Sequence, residues 1–547
     1  MNRERRQLAG RSPHMRSLSR GVFITFSILF GLLVAVSAVT EQNVVVTVTA
    51  TTAGNTPVFD LNKGEFSLQD SGKARTVATF AGPKAKSAAP LELLANEFSN
   101  VPDFRESSGA VFVVFDTIHT RYSVERDARA MVLKFLGKAA QAKHAVTLAV
   151  LSDKGLTAYH DYRTGSNVLL AAMSKAGLGG MRGVAAPTTV SDALVNAEAA
   201  RLTAFSKGDQ SNAASDTQLL HSSIDMVLTM FQDIGCAAAG LPGRKALVWV
   251  TNAVPFDIDP KTMQFKSLQV SSHGVAVGGV AVGGSKDQLT AAEVNRLSPL
   301  WRRSVQSLFD GGVAVYPYEV RGASATAANT LSQVTMKEFA LLTGGRAFFG
   351  SNDPFPEILA ISNGNSAGYE LGYTTDAAAG TDFQRIEVTA IRANVDVGHP
   401  AGYFPYEGTP KSRAGSEVGV AMTSPFEYTG IGFKVAVAGI EEGTGGKKKV
   451  NLVISLGGDS GILNEAGGTV DVGFVVRAVN ASGQTVGSMN EGAGGKFPPE
   501  AVAQIKEQGF QLKRSFEVSP GDCIVRFLVR DNQSGRMGDV IFPLTVK

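Results

Sequence analysis

The sequence predicts an α/β fold, a doubly wound, mainly parallel sheet with flanking all-β sandwich elements, on three observations. The first is the unbroken apolar run Ala110-Val-Phe-Val-Val-Phe115, which has the composition of a strand buried on both faces. The second is that strand-like and helix-like stretches alternate from there to residue 349, the order that a parallel sheet with crossover helices requires. The third is that short strands without intervening helices stand on both sides of that region, before residue 82 and after residue 369.

The chain has 547 residues, so about three globular parts are expected. With 44% hydrophobic and 18% charged residues it has the composition of a folded protein. A formal net charge of +3, without any basic patch interleaved with aromatics, gives no reason to expect nucleic acid as a partner. Arg5, Arg6, Arg11, Arg16 and Arg20 precede the apolar run Gly21–Val36, and Val36-Ser37-Ala38 offers small residues for cleavage. Residues 1–38 therefore read as a signal peptide, and the remainder is expected to be exported, periplasmic or extracellular. Membrane contact is expected only if that segment stays uncleaved, and its apolar run falls short of the roughly 20 residues of a bilayer span. Cys236 and Cys523 are the only cysteines. They exclude a multi-bridge disulfide framework, and no Cys/His cluster has zinc spacing, so two buried, unpaired thiols are expected.

Taken in order, residues 39–82 hold the strands Val44–Thr49, Phe66–Gln69 and Thr76–Phe80, separated by the turns Gly54-Asn-Thr-Pro57 and Asp70-Ser-Gly-Lys73. Three short strands bury no core by themselves. Residues 83–108, with Pro83, Pro90 and Pro102, read as a linker. Residues 109–368 are the α/β domain. Its first strand ends at Asp116, and Ser123 can cap a helix carrying Val124, Ala128, Met131, Val132 and Phe135 at helical spacing. Strands follow at 145–151, 156–162, 245–251, 313–320 and 346–349, and helices from Ser166 and at 190–205, 217–234, 291–309 and 331–343. The near-repeat Gly274-Val-Ala-Val-Gly-Gly279 and Val280-Ala-Val-Gly-Gly284 has no room for a helix and reads as a surface insertion, with a hairpin as the other possibility. Residues 369–406 are again strands, expected to pair with 43–80 so that the α/β domain is inserted into a β-sandwich. Residues 407–425 are a second linker, and 426–547 alternate like about six antiparallel strands of an immunoglobulin-like sandwich, with one helix at 499–507. The run Lys447-Lys-Lys449 reads as a solvated hairpin tip.

A buried strand that releases a carboxylate and hydroxyls just before a helix is where open α/β sheets place ligands. With Asp116-Thr-Ile-His-Thr120, Phe66–Lys73, Gly243-Arg-Lys245, Thr343-Gly-Gly-Arg346 and Tyr369-Glu-Leu-Gly-Tyr373 in this order, the chain resembles the von Willebrand factor A-related family of secreted bacterial proteins over roughly Val44 to Phe404. The resemblance implies a divalent cation, Mg²⁺ or another, above the strand ends, held by a first loop Asp-x-Ser-x-Ser, a Thr of a second loop and an Asp of a third. Carried over residue by residue, Asp116 and Thr120 match the first and last positions of the first loop, and Ile118 stands where a hydroxyl belongs. Thr117 is a substitute for it if the loop is rearranged, Thr188 or Thr189 would serve the second loop, and Asn252 replaces the acid of the third. The expected metal set is thus Asp116, Thr117, Thr120, Thr189 and Asn252, a degenerate metal site. The alternative is that Asp116 caps the following turn and Thr120 satisfies backbone donors. His119 reads as a surface residue of that loop and Asp153 as a turn residue.

Enzymatic readings are weaker. Gly364-Asn-Ser-Ala-Gly368 matches Gly-x-Ser-x-Gly, but it follows a helix and precedes a strand, the reverse of a nucleophile elbow. The expected function is a non-enzymatic protein–protein interaction or adhesion module acting through the strand-end edge on a partner protein in the envelope or outside the cell. The alternatives are a hydrolase using Ser366 or a metal-bound water, and a structural envelope scaffold.

Overall fold

Six strands carry the central sheet of the computed structural model: β1 (Val111–Asp116), β2 (Val146–Ser152), β3 (Gly155–His160), β4 (Lys245–Thr251), β5 (Val313–Glu319) and β6 (Phe348–Phe349). Their order across the sheet is β6-β5-β4-β1-β2-β3. All six residues of β1 and all seven of β4 and of β5 are buried, as runs of β-branched and aromatic residues demand at the centre of a sheet. The structure describes residues 42–547 except for 53–55, 84–91, 102–108, most of 121–145, 162–212, 253, most of 267–288, 320–328, most of 350–366, 376–381, 407–408, 459 and 465–466. The expected signal peptide and the helix expected at 190–205 lie outside the described residues.

Three helices pack on one face of this sheet: α1 (Ala213–Ala238), α2 (Ala291–Asp310) and α3 (Asn329–Thr343). The face is set by strand alternation, which turns Phe112 and Val114 of β1, Leu247 and Trp249 of β4 and Val313 and Val315 of β5 toward Phe231, Trp301 and Phe339 in a single core. In α2, Leu297, Trp301, Val305 and Leu308 recur at helical spacing and are all buried. Thr290 caps this helix in a reciprocal capping box with Glu293. Gly235 of α1 faces Ser307 of α2 so closely that a Cβ would overlap the Ser307 carbonyl.

Before and after this layer, strands far apart in sequence share two antiparallel sheets. Gln42–Thr52 lies between Gly368–Thr375 and Val395–Gly398, with Thr79–Ala81 on the outer side of Gly368–Thr375. Gln384–Ala390 lies between Phe66–Asp70 and Gly402–Tyr403, with Lys73–Arg75 beyond Phe66–Asp70. Their inward residues, among them Val46, Val48, Leu68, Tyr369, Leu371 and Val388, form one sandwich core. The chain leaves this sandwich after Ala81 and re-enters it at Gly368.

The C-terminal part is a nine-stranded antiparallel sheet built mostly from hairpins, for example Phe433–Glu442 with Lys448–Leu456, and Gly521–Asp531 with Met537–Val546. It is not an ordinary six-stranded sandwich. One terminal strand is Glu97–Ser99, which lies within the expected linker 83–108 and pairs with Phe433–Glu442. The other is Met537–Val546, and the rings of Phe98 and Phe542 stack with centroids 4.4 Å apart, so the ends of the sheet meet and it curls almost into a barrel. The expected linker 407–425 holds α4 (Pro410–Ala421), started by the Thr409 cap and Pro410. The helix expected at 499–507 is α5 (Pro499–Gln508). Gly445 and Gly446, both at positive φ, make the hairpin tip before Lys447. The glycine-rich near-repeat folds as the hairpin Val275–Val277 with Val280–Val282. Cys236 and Cys523 are free thiols, Cys523 buried and Cys236 half-buried.

The expected fold class, a doubly wound and mainly parallel α/β sheet, is therefore corrected. Parallel pairing among the described residues is confined to the ladders β1–β2, β1–β4, β4–β5 and β5–β6, and the remaining ladders, β2–β3 included, are antiparallel. The described chain is mostly antiparallel β, a β-sandwich architecture with a near-barrel and five helices. The physical reason is connectivity: each parallel neighbour needs its own crossover, whereas most of these strands are joined by tight turns or recruited from a distant segment.

Candidate functional site

β1 ends in its acid. Asp116 is 0% exposed, and the chain turns directly behind it. Its Oδ1 accepts the backbone N–H of Ile118 at 3.0 Å and of His119 at 3.1 Å, the local turn that a short acidic side chain favours. Its Oδ2 accepts from three side chains: His119 Nδ1 at 2.8 Å, Thr251 Oγ1 at 3.1 Å and Trp249 Nε1 at 3.2 Å. Trp249 and Thr251 reach it together because β4 lies beside β1 and residues two apart on a strand share a face.

This arrangement tests the cation that the resemblance implies. A hard cation needs carboxylate lone pairs, of which there are about four on the two oxygens. At Asp116 they already face five N–H or O–H donors, whose positive ends repel a cation. Thr117 turns away: its N–H and its hydroxyl both donate to the Leu151 carbonyl, at 2.9 and 2.8 Å. Ile118, in the place of a hydroxyl, is buried in the apolar core beside Phe112 and Trp249. Thr120 is buried too, and Asn252 follows directly on β4 with a buried Oδ1 that has no hydrogen-bond partner among the described residues. Thr188 and Thr189 lie outside the described residues. Among the described residues no group of three or more His, Cys, Asp or Glu is placed to hold a metal. The residues present do not fit a divalent cation bound directly by Asp116.

His119 corrects a further expectation. It is not on the surface but 5% exposed, and it is the closest hydrogen-bond partner of Asp116. With Nδ1 donating to the carboxylate, the ring is held in one orientation, and its other nitrogen becomes the reactive end. That Nε2 is buried and has no hydrogen-bond partner among the described residues. The signal that could have found it is the Asp-x-x-His spacing, which lets a residue just beyond a strand fold back onto the acid that ends it. Asp153 lies in the turn between β2 and β3 as expected. Ser366 lies outside the described residues; its neighbours Gly364 and Asn365 are helical and precede the strand Gly368–Thr375.

A second polar cluster, unforeseen from the sequence, joins α1 to the C-terminal sheet. Tyr428 donates its hydroxyl to Asp233 Oδ1 at 2.6 Å and its N–H to Asp539 Oδ1 at 2.6 Å, and Arg526 pairs with Asp539 Oδ2 at 2.6 Å. Burial pushes the Asp233 carboxyl up to about 7, against the hydrogen bonds from Tyr428 and Ser424 and the charge of Arg526.

No family model matches the sequence, and no curated protein matches it. Among solved structures the chain is similar to a glycosyl hydrolase family 2 member from Bacteroides cellulosilyticus, at 11% identity and a TM-score of 0.16 over 33% of this chain and 19% of that one. It is also similar to a mutant of the PilB minor pilin from Streptococcus sanguinis, at 12% identity and a TM-score of 0.23 over 47% of this chain and 61% of that one. A third is the pilus adhesin SpaC from Lactobacillus rhamnosus GG in its open conformation, at 10% identity and a TM-score of 0.26 over 80% of this chain and 52% of that one. The chain thus spans from about a fifth to about three fifths of the length of these structures, and similarity this slight carries no functional argument. No helix among the described residues is long and apolar enough to cross a membrane.

Proposed function

We propose that this chain is an exported, non-enzymatic binding protein of adhesion type, which presents the strand-end edge at β1 and β4 to a protein partner in the envelope or outside the cell. One observation carries the reading. Two polar atoms of that edge, His119 Nε2 and Asn252 Oδ1, are buried without a hydrogen-bond partner among the described residues, while the Asp116 carboxylate that holds His119 is saturated by internal donors. Unpaired buried acceptors are costly, and a partner that offers donors there recovers the cost. The reading leaves out the bridging cation that the sequence resemblance implied. Asp116 is then a positioning residue that aims His119.

The test is surface plasmon resonance of the immobilised full chain, of His119→Ala and of Asn252→Ala against fractionated envelope and secreted proteins of the same cells. Both variants are expected to weaken the strongest response by about tenfold, the worth of one good hydrogen bond at an interface. Exchange of EDTA for Mg²⁺ should leave the response unchanged. Equal responses from all three proteins would remove the strand-end edge as the binding surface.

A further inference from the structure

The face of α2 turned away from its Trp301 core carries Pro299, Arg302, Arg303 and Gln306, at the i, i+3, i+4, i+7 spacing of one helical stripe. Together with Phe404, Pro405, Tyr406 and Arg413 they line a cleft of about 210 Å³. Because the C-terminus of α2 runs into β5 through Gly311 and Gly312, this stripe lies toward the amino ends of the parallel strands, away from the Asp116 edge. Three guanidinium groups line the cleft, and none of its lining residues is a carboxylate.

Two carboxylates lie behind the lining: Asp310 accepts from the Tyr406 hydroxyl at 2.5 Å and from Gln306, and Glu417 is shared between two arginines. Arg413 Nε donates to Glu417 Oε1 at 2.8 Å, and the same carboxylate accepts from Arg530 Nη2 through Oε2 at 2.6 Å. The Arg413 guanidinium also lies over the Tyr406 ring, 4.3 Å from its centroid, which fixes it as one wall. Arg302 Nη1 donates to the neutral Gln264 Oε1 at 3.3 Å. Arg303 has neither a hydrogen bond nor an ion pair with any described residue, although its Nε is buried. Gln306 donates Nε2 to Asp310 Oδ1 at 2.8 Å, and its own Oε1 is buried without a partner among the described residues.

We propose that this cleft binds a small phosphate-type oxyanion, with Arg303 as its principal ligand. A guanidinium presents a planar fork that matches two oxygens of a phosphate, and a fork that pairs with no acid among the described residues, in a concave cleft lined by two further arginines, is set for such a group. The cleft is smaller than the roughly 300–1,000 Å³ of a drug-sized pocket, so it admits a phosphate or a short phosphomonoester. The unpartnered Gln306 Oε1 is an acceptor for the proton that a phosphate carries near neutral pH and a sulfate does not. The ligand would bridge α2 to α4 and so tie the helical layer to the segment that leads into the C-terminal sheet.

Titration calorimetry of the full chain at low ionic strength tests this, with inorganic phosphate, glycerol 3-phosphate, sulfate and succinate as probes. Saturable heat is expected from phosphate, weaker from sulfate, and weakened at least about tenfold in Arg303→Gln, the loss of a charge-assisted hydrogen bond. Arg303→Lys should recover part of the affinity, because it restores the charge without the fork. Tighter binding of glycerol 3-phosphate than of phosphate would assign the phosphoryl group of a larger metabolite as the occupant, and the reverse would assign the free ion. An unchanged near-ultraviolet circular dichroism spectrum of Arg303→Gln separates lost binding from lost fold, and Arg302→Gln serves as a second variant. No saturable heat from either phosphate probe, heat from succinate alone, or Arg303→Gln binding within twofold of the wild type would overturn the proposal.

Discussion

At the scale of single residues, the structure turns on two buried carboxylates in opposite situations. Asp116 is charge-compensated by five donors, whereas Asp233 is opposed by its burial. Asp116→Asn replaces one accepting oxygen by an NH₂ group that faces donors, so it is expected to cost about 2–4 kcal/mol. Urea unfolding followed by tryptophan fluorescence measures this well, because both tryptophans, Trp249 and Trp301, sit in the core beneath the site. A change below about 0.5 kcal/mol would mean that the carboxylate does not hold the turn. Asp233 sets a pH dependence. Its carboxyl titrates at about 7 in the folded protein, above the ordinary value of 3.8, so the folded state binds more protons between those values. Stability should therefore fall as pH rises from about 4 to 7 and level off above, and Asp233→Asn should lose that slope, worth up to roughly 4 kcal/mol. Parallel slopes for wild type and variant would count against the buried assignment.

At the scale of elements, helix contact decides against helix propensity. Gly235 lies inside α1, where Ala is the better helix former by about 1 kcal/mol. The Ser307 carbonyl of α2, however, occupies the space a methyl group would take. Gly235→Ala is thus expected to destabilise by about 1–3 kcal/mol, since overpacking pushes α1 and α2 apart. Thermal unfolding shows which effect wins, and a raised midpoint would mean that the two helices do not cross this closely. The Thr290–Glu293 box is an ordinary contribution by comparison: Thr290→Ala should cost about 1 kcal/mol by the same measurement.

At the scale of the whole molecule, the C-terminal sheet is completed by a segment that precedes the helical layer in sequence. Glu97–Ser99 adds its edge strand, and Asn100 locks it: its Nδ2 donates to the Tyr428 and Ile431 carbonyls, each at 2.8 Å, and its Oδ1 accepts from Phe433 N–H at 2.9 Å. Expressed alone, residues 426–547 lack this strand and leave the edge Phe433–Val437 open to pairing with another chain. That fragment is expected to self-associate in light scattering, and to become monomeric when residues 92–101 are fused to it. A monomeric, equally stable bare fragment would show that the closure is dispensable.

Local pattern by itself determined much of the element structure. The apolar run of β1, the spacing of Leu297, Trp301, Val305 and Leu308 in α2, and the Gly445-Gly446 tip each follow from periodicity or backbone freedom within a few residues. Asp116 was legible as the end of a buried strand, because an acid that closes such a run has to face a turn. Tertiary structure alone decided the partners. Nothing in Gln42–Thr52 names Gly368–Thr375 as its neighbour, nothing in Glu97–Ser99 marks it as a terminal strand of the C-terminal sheet, and nothing local draws Trp249 and Thr251 onto Asp116. Alternation tells which side of a residue faces inward and leaves open which edge it meets, since backbone donors and acceptors are the same on every strand. The balance of parallel and antiparallel pairing, the burial of His119 and the saturation of Asp116 all depend on that choice, which only the packed chain makes.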